Sequence, residues 1–192
     1  MPTAPALNPT LWRTCRVLAG HTRIRLMREL LAHPNHYVSL LAQAAGIGES
    51  AASQELRRLQ SRGLLRRHQA GGRVYFWPIP DPQVASAAPL LEALIQTLSC
   101  YPADQDAALC RLAMGLGHER RIQIARILAV SAITSVELQR ETGIPRDSLH
   151  RHLQRMQEAG LIQIARNRYT LVWPRHPLAR ALSRLMSAPP RS

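Results

Sequence analysis

Two stretches of this 192-residue chain match each other at an offset of 97 residues, about half its length. The first is Gly46-Ile47-Gly48-Glu49-Ser50-Ala51-Ala52-Ser53-Gln54-Glu55-Leu56-Arg57-Arg58-Leu59-Gln60-Ser61-Arg62-Gly63-Leu64-Leu65. The second is Gly143-Ile144-Pro145-Arg146-Asp147-Ser148-Leu149-His150-Arg151-His152-Leu153-Gln154-Arg155-Met156-Gln157-Glu158-Ala159-Gly160-Leu161-Ile162. In both, apolar residues fall at i, i+4 and i+7 (Ala52, Leu56, Leu59; Leu149, Leu153, Met156), which marks one face of a helix. Gly63-Leu64-Leu65 and Gly160-Leu161-Ile162 follow, the pattern of a helix C-cap leading into a strand. A repeat at half the chain length constrains the fold to two like units.

The match extends in both directions. Upstream, Leu18-Ala19-Gly20-His21-Thr22-Arg23-Ile24 parallels Leu116-Gly117-His118-Glu119-Arg120-Arg121-Ile122, opening helices with stripes Ile24, Met27, Leu30 and Ile122, Ala125, Leu128. Downstream, Trp77-Pro78 parallels Trp173-Pro174 at the end of a hairpin-like stretch. The first hairpin turns at Ala70-Gly71-Gly72, where glycine supplies positive φ, and the second near Asn167. Each unit therefore reads as helix, short helix, turn, helix and two-stranded wing. The short helices are expected over 39–45 and 135–142, with sharp turns at Gly46-Ile47-Gly48 and Gly143-Ile144-Pro145. Apolar helices are expected to flank the first unit over 10–19 and 83–99, and the second over 106–116 and 178–186. The resulting division is a first unit at 9–99, a linker at 100–104 and a second unit at 105–187.

Composition narrows the function. The chain carries 25 Arg and no Lys against 12 acids, a formal net charge of +13, which points to a polyanionic partner. Residues 1–96 hold 11 Arg against 5 acids and residues 97–192 hold 14 against 7, so both units share the excess. Met1-Pro2-Thr3-Ala4-Pro5-Ala6 shows no basic segment running into an apolar one, so no signal peptide is expected. No stretch approaches the roughly 18 apolar residues of a membrane span. Three cysteines without a CxxC pair argue against a disulfide framework or a zinc finger. A cytoplasmic location follows as the expectation.

These residues resemble the ArsR/SmtB class of bacterial winged-helix repressors. The resemblance rests on Leu18-Ala19-Gly20-His21-Thr22-Arg23-Ile24-Arg25, on Ser50 to Leu59, and on the wing Arg66-Arg67-His68-Gln69-Ala70-Gly71-Gly72-Arg73-Val74-Tyr75-Phe76. The second copy matches through Asp147-Ser148-Leu149-His150-Arg151-His152-Leu153 and less well in its wing. The resemblance implies a mainly α fold with small β-wings (α+β), two tandem winged helix-turn-helix units, and repression by promoter occlusion. Members of the class are homodimers of units about this half-length, paired through first and last helices. One chain carrying both units implies a monomeric pseudo-dimer packed through its flanking helices; a homodimer of the whole chain is the other arrangement.

Each recognition helix is expected in a major groove of double-stranded DNA. The reading residues are Ser50, Ala51, Ser53, Gln54 and Arg57 in the first unit. In the second they are Arg146, Asp147, Ser148, His150, Arg151 and Arg155. Arg66, Arg67 and Arg73 on one wing, and Arg166 and Arg168 on the other, would hold phosphates or reach a minor groove. The bland counterpart is a solvated charged face, which two copies of the same polar face make a weaker explanation.

No cofactor and no metal site is expected. Leu40-Leu41-Ala42-Gln43-Ala44-Ala45 lacks the cysteines that metal sensors of the class carry there, and 178–186 lacks paired acid and histidine ligands. His150 and His152, two apart on a helix, point to different sides. His33 and His36 flank Pro34 in a loop. Cys15 and Cys110 occupy similar places in two leading helices and form a redox candidate, against the plainer reading of small core residues. No phosphate loop, Gly-x-Ser-x-Gly or close carboxylate pair marks an enzyme. A protein-binding tandem winged helix is the rival function, set against a net basic charge in both halves. A membrane-surface role is disfavoured because the apolar helix faces read as core or interface.

Overall fold

The computed structural model describes residues 10–187, so the expected boundary at residue 9 and the reading of residues 1–6 lie outside the described residues. The first helices in chain order are α1 (Leu11–Leu18), α2 (His21–Ala32), α3 (Val38–Ala44) and α4 (Glu49–Gln60). Strands β1 (Arg66–Ala70) and β2 (Arg73–Trp77) and helix α5 (Ala87–Cys100) follow. A 3₁₀ turn at Ala103–Gln105 leads to α6 (Asp106–Leu116), α7 (Glu119–Leu128), α8 (Ser135–Thr142) and α9 (Arg146–Glu158). Strands β3 (Ile162–Ala165) and β4 (Arg168–Leu171) and helix α10 (Pro177–Ser187) complete the order. The protein is mostly helical with two small antiparallel sheets, the α+β winged-helix class expected.

The chain divides into two compact units, one of Gly20–Asp106 and one of Leu11–Ala19 with residues 107–187. The sequence places the helix at 10–19 at the head of the first unit; α1 instead packs with the second. Thr14, Cys15 and Leu18 are buried, and a Cβ on Gly117 would come within 3.4 Å of the Arg16 Cα. Periodicity identifies the buried face of such a helix but not which core receives it.

In the first unit the stripes of α2 (Ile24, Met27, Leu30), α3 (Val38, Leu41) and α4 (Ala52, Leu56, Leu59) are buried together with Leu64 and Phe76. Full burial of each large side chain contributes roughly 1.5–3 kcal/mol relative to exposure. The turn between α3 and α4 depends on Gly46 at φ 62, where a Cβ would meet the following carbonyl. The Ile47 N–H returns to the Ala42 carbonyl at 3.0 Å and closes the turn. Strands β1 and β2 pair from Arg66↔Trp77 to Ala70↔Arg73, and a Tyr37↔Tyr75 bridge adds a short third edge. Arg28 of α2 holds the end of α5. It donates to the Asp106 carboxylate at 2.8 and 2.9 Å and to the Leu98 and Tyr101 carbonyls at 2.7 and 2.8 Å. A cation at the C-terminal end of a helix, donating to carbonyls there, complements the helix dipole.

The second unit repeats the order of α2 to β2 in α7 to β4. Ile122, Ala125 and Leu128 of α7 are buried with Leu138 of α8 and with Leu149, Leu153 and Met156 of α9. A capping box opens α8: the Glu137 carboxylate accepts the Thr134 N–H at 2.7 Å and the Thr134 hydroxyl accepts the Glu137 N–H. That backbone hydrogen bond is the main reason the Glu137 carboxyl sits below its ordinary range. Gly143 at φ 65 ends the helix in the left-handed cap. Strand β3 pairs with β4 from Ile162↔Leu171 to Ala165↔Arg168, with an Ile133↔Tyr169 bridge beside it.

Candidate nucleic-acid interface

Burial of one face of α4 decides which side chains face water. With Ala52, Leu56 and Leu59 inside, Ser50, Ala51, Gln54 and Arg57 are exposed and Ser53 is half-buried. On the wing, Arg66, Arg67 and Arg73 are all exposed. The Arg73 guanidinium lies 4.5 Å over the Tyr37 ring and Arg67 donates to the Gln69 side chain at 3.0 Å. Both contacts aim the arginines without neutralising them.

Helix α9 presents the same kind of face. Arg146, Asp147, His150, Arg151 and Arg155 are exposed and Ser148 is half-buried. Asp147 lies in the first turn, where the helix dipole favours an acid, so its charge has a local structural reason. The β3–β4 turn is made by Arg166 (φ 49) and Asn167 (φ 61), both left-handed. Arg166 is thus the tip of the wing itself rather than a residue beside the turn. Arg168 donates to the Ala132 carbonyl at 2.6 Å, so it also braces the wing against the segment before α8.

Six residues of this unit that the sequence does not mark as reading residues, His118, Arg120, Arg121, His152, Gln154 and Glu158, line an open cleft with Ser148, Arg151 and Arg155. It measures about 590 Å³ and lies between the start of α7 and the face of α9. The His118 and His152 rings stand 4.7 Å apart. Burial, then the positive field of His118 and the neighbouring arginines, pulls His152 down to about 4. His118 is lowered for the same first reason, with Arg121 and Arg120 next. Arg121 is only 8% exposed and donates to the Met114 and Gly115 carbonyls at 2.8 and 3.1 Å. The signal that would have found this cluster is the repeat itself, which sets His152 opposite Glu55 and Arg121 opposite Arg23.

The cysteines fall elsewhere. Cys15 and Cys110 are buried thiols and Cys100 is an exposed one. Burial pushes the Cys15 thiol up to about 12, so it stays protonated and unreactive at neutral pH. The rings of His33 and His36 stack at 4.5 Å. Among the described residues no group of three or more His, Cys, Asp or Glu is placed to hold a metal ion. Among them, too, no helix is long and apolar enough to cross a membrane.

Residues 123–163, from within α7 to the start of β3, match a family model described as winged helix-turn-helix DNA-binding. The chain therefore carries a winged helix-turn-helix DNA-binding domain, and α8 and α9 are the two helices on either side of its turn. No curated protein and no solved structure matches the chain.

Proposed function

We propose that the protein is a sequence-specific, double-stranded DNA-binding transcriptional regulator of ArsR-like type that represses by occluding a promoter. The observation that carries this reading is the exposed polar and basic face of α9, inside the matched domain, with its apolar face locked in the core. The first unit supports it with the same order of elements, a second polar helix face on α4 and a second arginine-bearing wing. Both are reading heads in this proposal, products of a tandem duplication.

The fused chain acts as a pseudo-dimer and binds as a monomer. In support, the apolar faces of α1, α5, α6 and α10 are already buried within one chain. At matching places of the repeat, α4 offers Ser50, Ser53 and Gln54 where α9 offers Asp147, His150 and Arg151. Side chains so unlike in donors and acceptors select different bases, so the two halves of the DNA site differ in sequence.

Salt dependence of duplex binding tests the contact set. Replacing Arg166 or Arg66 with Gln should weaken binding uniformly across sequences and lower the salt slope by about one. Replacing Arg151 with Ala should cost about 1–3 kcal/mol and relax preference at one base pair. Equal losses on all sequences for both kinds of variant would contradict base reading, and duplex binding too weak to survive moderate salt would favour a protein-binding module.

A further inference from the structure

The two units differ at one position with consequences for charge. In the first, Glu55 of α4 is ion-paired to both Arg23 of α2 and Arg58 of α4, with its side chain mostly buried between them. The repeat sets His152 at the place of Glu55, Arg155 at that of Arg58 and Arg121 at that of Arg23. The second unit keeps both cations and replaces the carboxylate with an imidazole.

Among the described residues, the rest of the cleft does not make up that negative charge. Arg121 donates two of its N–H groups to carbonyl oxygens, which hold it in place but leave its charge uncancelled. Glu158 is the one acid lining the cleft among the described residues, and it is shared between Gln154 at 3.1 Å and Arg155 at 3.4 Å. Glu119 and Arg16 add one charge of each sign nearby, so the excess stays positive. The remaining donors converge: Arg120, Arg151 and Arg155 are exposed, and Arg151 reaches the Ser148 hydroxyl at 3.4 Å. The His118 Nδ1 accepts the Arg120 N–H at 3.1 Å, so its neutral ring carries the proton on Nε2 and is a donor.

We infer that this cleft is a binding site for a phosphate group, which supplies in the second unit the negative charge that Glu55 supplies in the first. Forked guanidinium groups, a hydroxyl and an imidazole N–H match the oxygens of a phosphate in number and geometry. The phosphate comes either from the backbone of duplex DNA or from a free phosphorylated small molecule. In the second case the ligand occupies Arg151 and Arg155, on the face of α9, and competes with DNA.

The test follows the His118 and His152 imidazole resonances of the full chain by NMR during titration with inorganic phosphate, with chloride at equal ionic strength, and with short duplex DNA. The variants are His152→Glu, which restores the first unit's arrangement, and Arg155→Gln at an exposed position; thermal melting checks that both fold. A saturable response to phosphate but not chloride, weakened about tenfold or more in both variants, supports the site and a free-phosphate source. A response to duplex alone, lost at the His118 ring in both variants, supports the site with a DNA phosphate in it. Identical responses to phosphate and chloride, no response to any titrant, or a response unchanged in both folded variants overturns it. The inference is independent of the regulator reading: a phosphate response without sequence preference on DNA would remove that reading and leave the site.

Discussion

Arg166 holds a left-handed backbone that costs a residue with a Cβ about 1–2 kcal/mol, at a wing tip where Asn or Gly would sit with less strain. Strain retained at an exposed tip points to a job for the side chain, and phosphate contact fits a guanidinium there. Arg166→Asn is expected to raise unfolding stability by about 1 kcal/mol or less in urea titration, since Asn tolerates the left-handed region better. The same variant should weaken duplex binding at low salt; unchanged affinity would remove Arg166 from the interface. The thiols make a second residue-scale prediction. Cys100 should react with a thiol reagent at once, while Cys15 and Cys110 stay protected until the chain unfolds. Rapid labelling of three thiols in the native protein would contradict the burial of the two.

At the scale of elements, the junction of α7 with α9 makes stability depend on pH. His118 and His152 have folded pKa values below the ordinary imidazole value, so the unfolded chain binds protons more readily. Their contribution is present above the unfolded value near 6.5 and is lost as pH falls toward the folded value of about 4 for His152. Melting temperature should therefore drop on acidification through that window, with a smaller drop in His152→Gln. An equal drop in the variant would place the sensitivity elsewhere, His176 being the next lowered histidine. The helices, turns and wings of both units were legible because each depends on local pattern: a stripe, a glycine such as Gly46 or Gly143, an apolar pair after Gly160. What depends on distant partners was not. The apolar face of α1 carries no sign of the core that takes it up, and the cleft joins His118 to His152 across 34 positions of sequence. The left-handed Arg166 was hidden for another reason, since arginine is not a residue that announces such a turn.

At the scale of the whole molecule, α4 and α9 carry different side chains on their exposed faces within one polypeptide. A homodimer of identical heads favours a palindrome; α4 and α9 in one chain favour two unlike half-sites. Substitutions at Gln54 and Arg57 should then disturb one half-site and Arg151 the other, with little coupling between distant positions. The most direct measurement is selection of bound sequences from random duplex DNA by the full chain, with light scattering on the selected complex. The expected result is an enriched site of two unlike halves, carrying one 21.5 kDa chain. Failure to enrich any sequence, with weak binding that vanishes at moderate salt, would contradict the regulator; a perfect palindrome carrying two chains would contradict the pseudo-dimer.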